Sequence, residues 1–241
     1  MTVYNKEYYK RLRDGSLTSA EIVVPQLVSK YRPASVLDLG CGTGTWLSTF
    51  KRNGVNSIIG FDGEYVNRSQ LLISQSEFRA VDLAKEFPEP VRADLAISLE
   101  VAEHLHESRA DMFVEFLTNC SNVVFFGAAI PMQGGADHFN EKWQSYWVEK
   151  FKSRNYAVST EMRDHFWTNS EVKWWYRQNT LLFVKRGSSA IDSTITYDGN
   201  EKVLDVVHPD LYLLKMKRYR FLERVLAFRS ALALSIKSKF S

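Results

Sequence analysis

The run Val36-Leu37-Asp38-Leu39-Gly40-Cys41-Gly42-Thr43-Gly44-Thr45-Trp46 constrains this chain more than any other part of it. A short β-branched and aliphatic stretch suited to a buried strand meets closely spaced glycines. An apolar stripe at helical spacing, Trp46, Leu47 and Phe50, follows. Glycine belongs where the backbone must turn sharply and where a ligand must approach without a Cβ in the way. The helix start beyond the turn favours an anionic group such as a carboxylate. Three acids reinforce a ligand-binding reading. Asp38 lies two residues before the first glycine, where it can accept from an amino group. Asp62, 22 residues beyond Gly40, closes the second strand, the place where an acid hydrogen-bonds ribose hydroxyls. Asp82 ends the third short strand, where a carboxylate can accept from an exocyclic adenine amine. A ligand that joins adenosine to an amino acid uses all three.

Around the loop, strand and helix patterns alternate. Strands are predicted at 35–39, 55–61, 78–81, 93–99 and 122–126. A helix is predicted on Ala110, Phe113, Val114 and Leu117 after a cap at Ser108. The pattern predicts an α/β fold, a doubly wound Rossmann-like, mostly parallel sheet with helices on both faces, and 181–184 as an antiparallel edge strand. Two N-terminal helices are expected, the first at 4–13 ended by Asp14-Gly15-Ser16, the second capped by Thr18 and Glu21 and disturbed by Pro25. The expected organisation is N-terminal helices 1–34, the ligand-binding domain 35–186, a Ser, Thr, Asp and Gly-rich linker 187–208, and a basic amphipathic helical tail 209–241 opened by Pro209. Leu211, Leu214, Leu222, Val225, Leu232 and Ile236 form the tail's apolar side.

With 241 residues, two full catalytic domains will not fit. A composition of 45% hydrophobic and 24% charged residues excludes wholesale disorder. The longest apolar run, 123–132, is broken by Gly127 and Pro131 and falls short of the roughly 20 residues a membrane span needs. No apolar leader opens the sequence, and Cys41 and Cys120 suit a reducing compartment, so a cytoplasmic location is expected. The net charge of +3 does not argue for nucleic acid. No DNA partner is expected, and RNA is disfavoured.

The glycine loop resembles the first motif of class I S-adenosylmethionine-dependent methyltransferases, whose usual form is D-x-G-x-G-x-G. The resemblance covers roughly residues 35–186 and implies S-adenosyl-L-methionine as cofactor. It places the methionine part against Gly40, Gly42 and Gly44, the ribose hydroxyls on Asp62 and the adenine near Asp82. The dinucleotide fingerprint G-x-G-x-x-G fails at Thr45, where its last glycine belongs. Cys41 reads as a small packed residue, since no neighbouring histidine in sequence activates it.

Methyl transfer from a sulfonium is a direct displacement, so the protein must align the acceptor and help it lose a proton. After the fourth strand the chain reads Ser98-Leu99-Glu100-Val101-Ala102-Glu103-His104-Leu105-His106. In a helical turn Glu100, Glu103 and His104 share one face. His138, in the loop after the fifth strand, belongs to the same sheet edge. Glu100, Glu103, His104 and His138 are candidate ligands for a divalent metal, Mg, Mn or similar, acting as a Lewis acid on the acceptor hydroxyl. In the metal-free alternative these residues pack and cap, and His104 or His138 serves as the catalytic base. The set is similar to the Glu, Glu, His and distant His ligands of small-RNA 3′-end 2′-O-methyltransferases. His106 and His165 read as surface or supporting residues and His208 as a turn residue.

His138-Phe139-Asn140-Glu141-Lys142-Trp143-Gln144-Ser145-Tyr146-Trp147 resembles the H-x-N-E-x-W-x-x-Y-W stretch of bacterial methyltransferases of surface-polysaccharide and glycan pathways. Aromatic rings beside amides and acids suit a sugar, although Trp143 and Trp147 at i, i+4 also suit a core. Trp174-Trp175-Tyr176 is a second aromatic cluster placed to wall the cleft, and Arg177 is a candidate phosphate partner for a nucleotide-activated acceptor. The resemblance thus implies O-methyl transfer to a small-molecule, sugar-nucleotide or glycan acceptor. A metal-dependent RNA 2′-O-methyltransferase and a non-catalytic S-adenosylmethionine-binding scaffold are the alternatives. Residues 211–241 carry eight Lys or Arg against Glu223. Such a tail suits peripheral contact with the inner face of an anionic membrane, or packing as a lid or dimer element with its charges solvated.

Overall fold

The computed structural model describes residues 6–189 and 204–239, so most of the expected linker lies outside the described residues. The chain divides into two compact units, Met1–Val206 and Val207–Ser241.

The first unit is a seven-stranded sheet between two helical layers. Its strands are β1 (Ser35–Leu39), β2 (Ser57–Asp62), β3 (Phe78–Ala80), β4 (Leu95–Leu99), β5 (Val123–Gly127), β6 (Tyr156–Ser159) and β7 (Leu181–Lys185), in the order β3-β2-β1-β4-β5-β7-β6. All pairs are parallel except β5–β7 and β6–β7. This is the doubly wound, mostly parallel sheet with an antiparallel edge that the sequence pattern predicts. The antiparallel edge is a pair, and β7 lies inside it. β6 was not anticipated. It is four residues long and buried throughout, so it carries no alternation of polar and apolar residues, and only the left-handed Asn155 (φ 65°) announces it.

Successive residues of the central strands point to opposite faces, and both faces are covered. On one, Val36, Leu95, Ile97, Val123, Phe125 and Leu182 meet helices α1 (Lys6–Tyr31) and α2 (Thr45–Arg52). On the other, Leu37, Leu39, Ala96, Val124, Phe126 and Phe183 meet α3 (Ala110–Cys120) and α4 (Gln144–Lys152). Phe126 anchors the second face, within 6.3 Å of the Phe113, Trp147, Phe151 and Phe183 ring centroids. Each such buried ring contributes on the order of 1.5–3 kcal/mol.

α1 is one helix where two were expected. Gly15 does not end it. The helix runs through it, with Ser19 Oγ donating to the Gly15 carbonyl at 2.7 Å and accepting from the Lys173 N–H at 3.0 Å. Burial of Ala20, Val23, Val24 and Leu27 at i, i+3, i+4, i+7 carries the helix through Pro25. Glu21, expected in a capping box, pairs instead with Arg52. The cap expected at Ser108 belongs to His106, whose Nδ1 accepts from the Ser108 N–H ahead of α3. Helices α5 (Glu161–Phe166) and α6 (Trp174–Asn179) complete the first face.

The second unit is α7 (Pro209–Lys239), entered by a turn in which His208 Nδ1 accepts from the Asp210 N–H. Among the described side chains of this helix, exposed Phe221, Leu226 and Phe228 interleave with Arg218, Arg220 and Arg224, so this stretch shows no single apolar side; Leu232 and Ile236 of the expected apolar side lie outside the described side chains. Among the described residues no helix is long and apolar enough to cross a membrane.

Candidate active site

β1 is the switch point of the sheet, with β2 on one side and β4 on the other, and ligands of open α/β sheets bind where the loops at such strand ends part. Gly40, Gly42 and Gly44 follow β1 with φ of 89°, 54° and 82°. A Cβ on Gly40 would stand 2.2 Å from Val101 Cγ2, and one on Gly44 2.9 Å from Ile73 Cγ1, whereas one on Gly42 would meet nothing within 4 Å. Gly40 and Gly44 are thus packing glycines, and Gly42 is the one that opens onto space. Cys41 is buried with its Sγ over Gly60, and burial pushes its thiol well up, as befits a packed residue.

Gly40, Asp62, Asp82, Glu100, His104 and Asp137 line a common cleft of about 700 Å³. At the end of β2, Asp62 Oδ2 accepts from the Gly42 N–H at 2.6 Å, and Oδ1 accepts from the Gly63 N–H at 2.7 Å and from the Tyr65 hydroxyl. Asp82 is exposed just beyond β3, and its bond with Lys85 holds the carboxyl below its ordinary range. Asp38 is buried within β1. Burial, and then the charge of Asp62, raises its carboxyl well above the usual value.

After β4 the chain turns abruptly, with Glu100 at φ 58° and a short 3₁₀ turn at Ala102–His104. The Glu103 carbonyl accepts from the Phe139 and Asn140 N–H groups at 2.8 and 3.0 Å, which ties the loop after β5 to this turn. Glu103, His104 and His138 consequently come together, with one ligand atom of each within 4.8 Å of the others. Glu103 is fully buried, and no side chain donates to either carboxylate oxygen; only the backbone N–H groups of Glu103 and Ala129 approach it in a sense that favours its charge. Burial, then the charge of Glu100, lifts its carboxyl well above the ordinary range. His104 Nδ1 is bonded to the Asp137 carbonyl at 3.2 Å, and His138 Nδ1 to Glu141 Oε1 at 2.9 Å. Nε2 is left as the other nitrogen of each ring. Partial burial, then His138, holds His104 below the ordinary imidazole value.

Glu100 does not join this trio as the helical spacing predicts, because the turn is not helical at that residue. Its oxygens instead accept from Gln133 Nε2 at 2.9 Å and Asn179 Nδ2 at 2.7 Å, and Gln178 Nε2 braces Gln133 Oε1 at 3.0 Å. Burial pushes the Glu100 carboxyl up to about 7. Sequence reasoning missed this amide network and Tyr65; it named Asn140 and Glu141 as acceptor-side residues without foreseeing that Glu141 meets His138 or that Asn140 is buried with a side-chain amide lacking a partner. The signal in sequence was the pairing of amides, Gln133 in the loop after β5 and Gln178-Asn179 at the end of α6. Arg177, a candidate phosphate partner by sequence, is buried and donates to the Trp167 carbonyl at 3.0 Å. Tyr176 is buried beside Trp46, so this aromatic cluster packs the core at that residue. Trp147 is likewise core, whereas Trp143 precedes α4 and is 40% exposed.

A glycine loop at the switch point of this sheet, with acids closing β2 and following β3, defines an S-adenosylmethionine-dependent methyltransferase fold and site. The chain belongs to the methyltransferase-domain family, whose sequence profile matches residues 20–179. No curated protein sequence matches it significantly. Among solved structures it is similar to an O-methyltransferase family protein from Burkholderia thailandensis, at 15% identity and a TM-score of 0.56 over 77% of this chain and 61% of that one. The methyltransferase domain of bacterial CtHen1-C matches at 19% identity and a TM-score of 0.52 over 70% and 97%. Magnesium protoporphyrin IX methyltransferase from Synechocystis PCC 6803, with S-adenosylhomocysteine bound, matches at 16% and 0.51 over 77% and 90%. At these identities the likeness is one of fold.

Proposed function

We propose that the protein transfers methyl to a hydroxyl of a sugar or glycan building block, with a divalent ion held by Glu103, His104 and His138. One observation carries the metal part of this reading: a fully buried carboxylate to which no side chain donates lies beside two imidazoles whose Nδ1 atoms are already engaged. A carbonyl or carboxylate on the far nitrogen fixes tautomer and ring orientation in histidine ligands. Burying a carboxylate with so little to meet its charge is costly unless a cation completes it. The mixed oxygen and imidazole donor set suits an ion such as Mn²⁺. When bound, the ion supplies Lewis acidity that lowers the pKa of an acceptor hydroxyl.

The chain's own residues do the remainder. Gly42 leaves the backbone open to the cofactor, and Asp62 takes the ribose hydroxyls. The acceptor oxygen bonds to the methyl carbon as the carbon–sulfur bond breaks, and the acceptor proton passes to solvent, since both imidazoles are committed to the ion on one nitrogen and to Asp137 and Glu141 on the other. Partial burial holds His104 below the ordinary imidazole value, which favours the neutral ring a metal ligand must be. The loop that carries His138 also carries Phe139 (69% exposed) and Trp143, beside Asn140 and Glu141, a combination that supports a sugar acceptor. The test is incubation with methyl-labelled S-adenosylmethionine, with and without chelator, against sugar nucleotides, glycan precursors and small RNAs. Label on a sugar hydroxyl that falls with chelation is expected. Salt-sensitive label on an RNA 3′ end would overturn the acceptor assignment in favour of RNA 2′-O-methyl transfer, and no product from any pool would leave a binding scaffold.

His138→Ala is expected to lose at least tenfold in Mn²⁺ affinity, as removal of a ligand or its support does elsewhere, while S-adenosylhomocysteine binding is kept. Elemental analysis and calorimetry on the same preparation check both halves. Unchanged metal content would remove the metal from the reading.

The cations of α7, with exposed Phe221, Leu222 and Phe228 among them, suit an anionic lipid surface, at about 1 kcal/mol per Lys or Arg near it. Sedimentation with phosphatidylserine vesicles, weakened by salt and by Phe221→Ser with Phe228→Ser, is the expected result. No binding to such vesicles, with a dimer by light scattering, would assign the helix to self-association.

A further inference from the structure

We propose that Tyr65 is a latch on the cofactor cleft, its hydroxyl occupying on Asp62 a position that a ribose hydroxyl must take. The proposal rests on the reading of Asp62 as the ribose-binding acid. A carboxylate offers about four lone-pair positions. Three are filled: Oδ1 receives the Gly63 N–H and the Tyr65 hydroxyl, and Oδ2 receives the Gly42 N–H. The backbone donors belong to the turn that shapes the cleft and stay where they are. A vicinal diol brings two hydroxyls to an acid with one position left, so the phenol is the donor that must leave.

Tyr65 can leave readily. Its ring is 85% exposed and lies across Gly63, where a Cβ would stand 2.1 Å from its Cε1, on the wall of the same cleft as Asp82 and Glu100. Little packing holds it there, and what is lost on swinging out is the bond to Asp62. The phenol therefore competes with the nucleoside, and after transfer it competes with the spent one. It keeps the acid satisfied when the cleft is empty and helps to displace S-adenosylhomocysteine when the cleft is full.

The test is calorimetry and stopped-flow binding of S-adenosylhomocysteine and of its 2′,3′-dideoxy analogue to the full chain, to Tyr65→Phe, to Asp62→Ala and to the double variant. With the hydroxyl removed, S-adenosylhomocysteine is expected to bind about tenfold tighter and to leave more slowly, in line with the loss of one competing hydrogen bond to a charged acceptor. The dideoxy analogue gains nothing, and Tyr65→Phe has no effect in the Asp62→Ala background. Equal or weaker binding of S-adenosylhomocysteine by Tyr65→Phe, while Asp62→Ala still loses affinity, overturns the latch and leaves the ribose assignment standing. Wild-type affinity in Asp62→Ala overturns the ribose assignment and the latch with it.

Discussion

Glu103→Gln raises the stability of the metal-free protein at mildly alkaline pH and at the same time abolishes its retention of a divalent ion. A carboxyl whose folded-state pKa lies above its unfolded value holds, when folded, a proton that the unfolded chain releases. Its favourable contribution is whole below the unfolded value and is lost as pH rises through the folded one. Glu103 is raised by burial and by Glu100, and Glu100 is itself pushed up to about 7 from an ordinary 4.5. For Glu100 alone that loss amounts to roughly 3 kcal/mol. The metal-free protein therefore weakens from mildly acidic to alkaline pH, and Glu100, Glu103 and the buried Asp38, all raised in the same direction, weaken it together. His104, whose value is lowered, has the opposite sign, with stability lost as pH falls, and the lowered carboxyls of Glu77, Asp82 and Glu107 act in the same sense on the acid side. Glutamine at 103 takes one charge out of the pair and flattens the alkaline arm. Urea unfolding in chelator from about pH 5 to about 8.5 reads this directly, and a variant profile parallel to wild type contradicts it. Manganese at about a hundred times its Kd should then stabilise wild type by roughly 2.7 kcal/mol and the variant not at all.

Gly40→Ala is expected to damage both walls of the cleft with one methyl group. At φ 89° a side chain is strained by about 1–2 kcal/mol, and the added carbon meets Val101 at 2.2 Å from Cγ2 and 2.7 Å from Cγ1. Valine has no flexible end with which to yield. Either the glycine loop shifts off the Phe61 carbonyl, to which the Gly40 N–H donates at 2.7 Å, or the Glu100–Glu103 turn moves. Overpacking adds roughly 1–3 kcal/mol, for a total near 2–5 kcal/mol and loss of detectable S-adenosylhomocysteine binding. Gly42→Ala is the internal comparison. It meets nothing within 4 Å, so it should lower stability by only about 1 kcal/mol while still placing a methyl where the cofactor belongs. Equal effects of the two alanines on unfolding would refute the distinction between a packing glycine and an open one.

The parts of this molecule that were legible in sequence are those where one local rule decides. The strand–glycine–helix run has only one economical backbone path, and acids at strand ends fall on the same edge of a parallel sheet by topology. What escaped reading depended on partners distant in sequence. The stretch of α1 around Gly15 docks through Ser19 on the distant Lys173 N–H, and the buried β6 needs β7 beside it. Placing Glu100 with Glu103 and His104 assumed a helical turn, but its φ of 58° and the amides of Gln133 and Asn179 take it elsewhere. Arg177 illustrates the same limit, since a cation in a polar stretch reads as solvated until the carbonyl that receives it is known.

Asn179 reaches Glu100 across 79 residues of sequence, from the far side of the last parallel strand. During synthesis the cofactor loop and β1 to β5 emerge from the ribosome long before the amide that steadies Glu100. Until α6 arrives, a nascent chain has to keep that acid wet or protonated. Fragments cut before Trp174 should therefore remain loose beneath an otherwise complete glycine loop. A split version of the enzyme would work only if the break left residues 133 and 178–179 on a piece that can return to the end of β4.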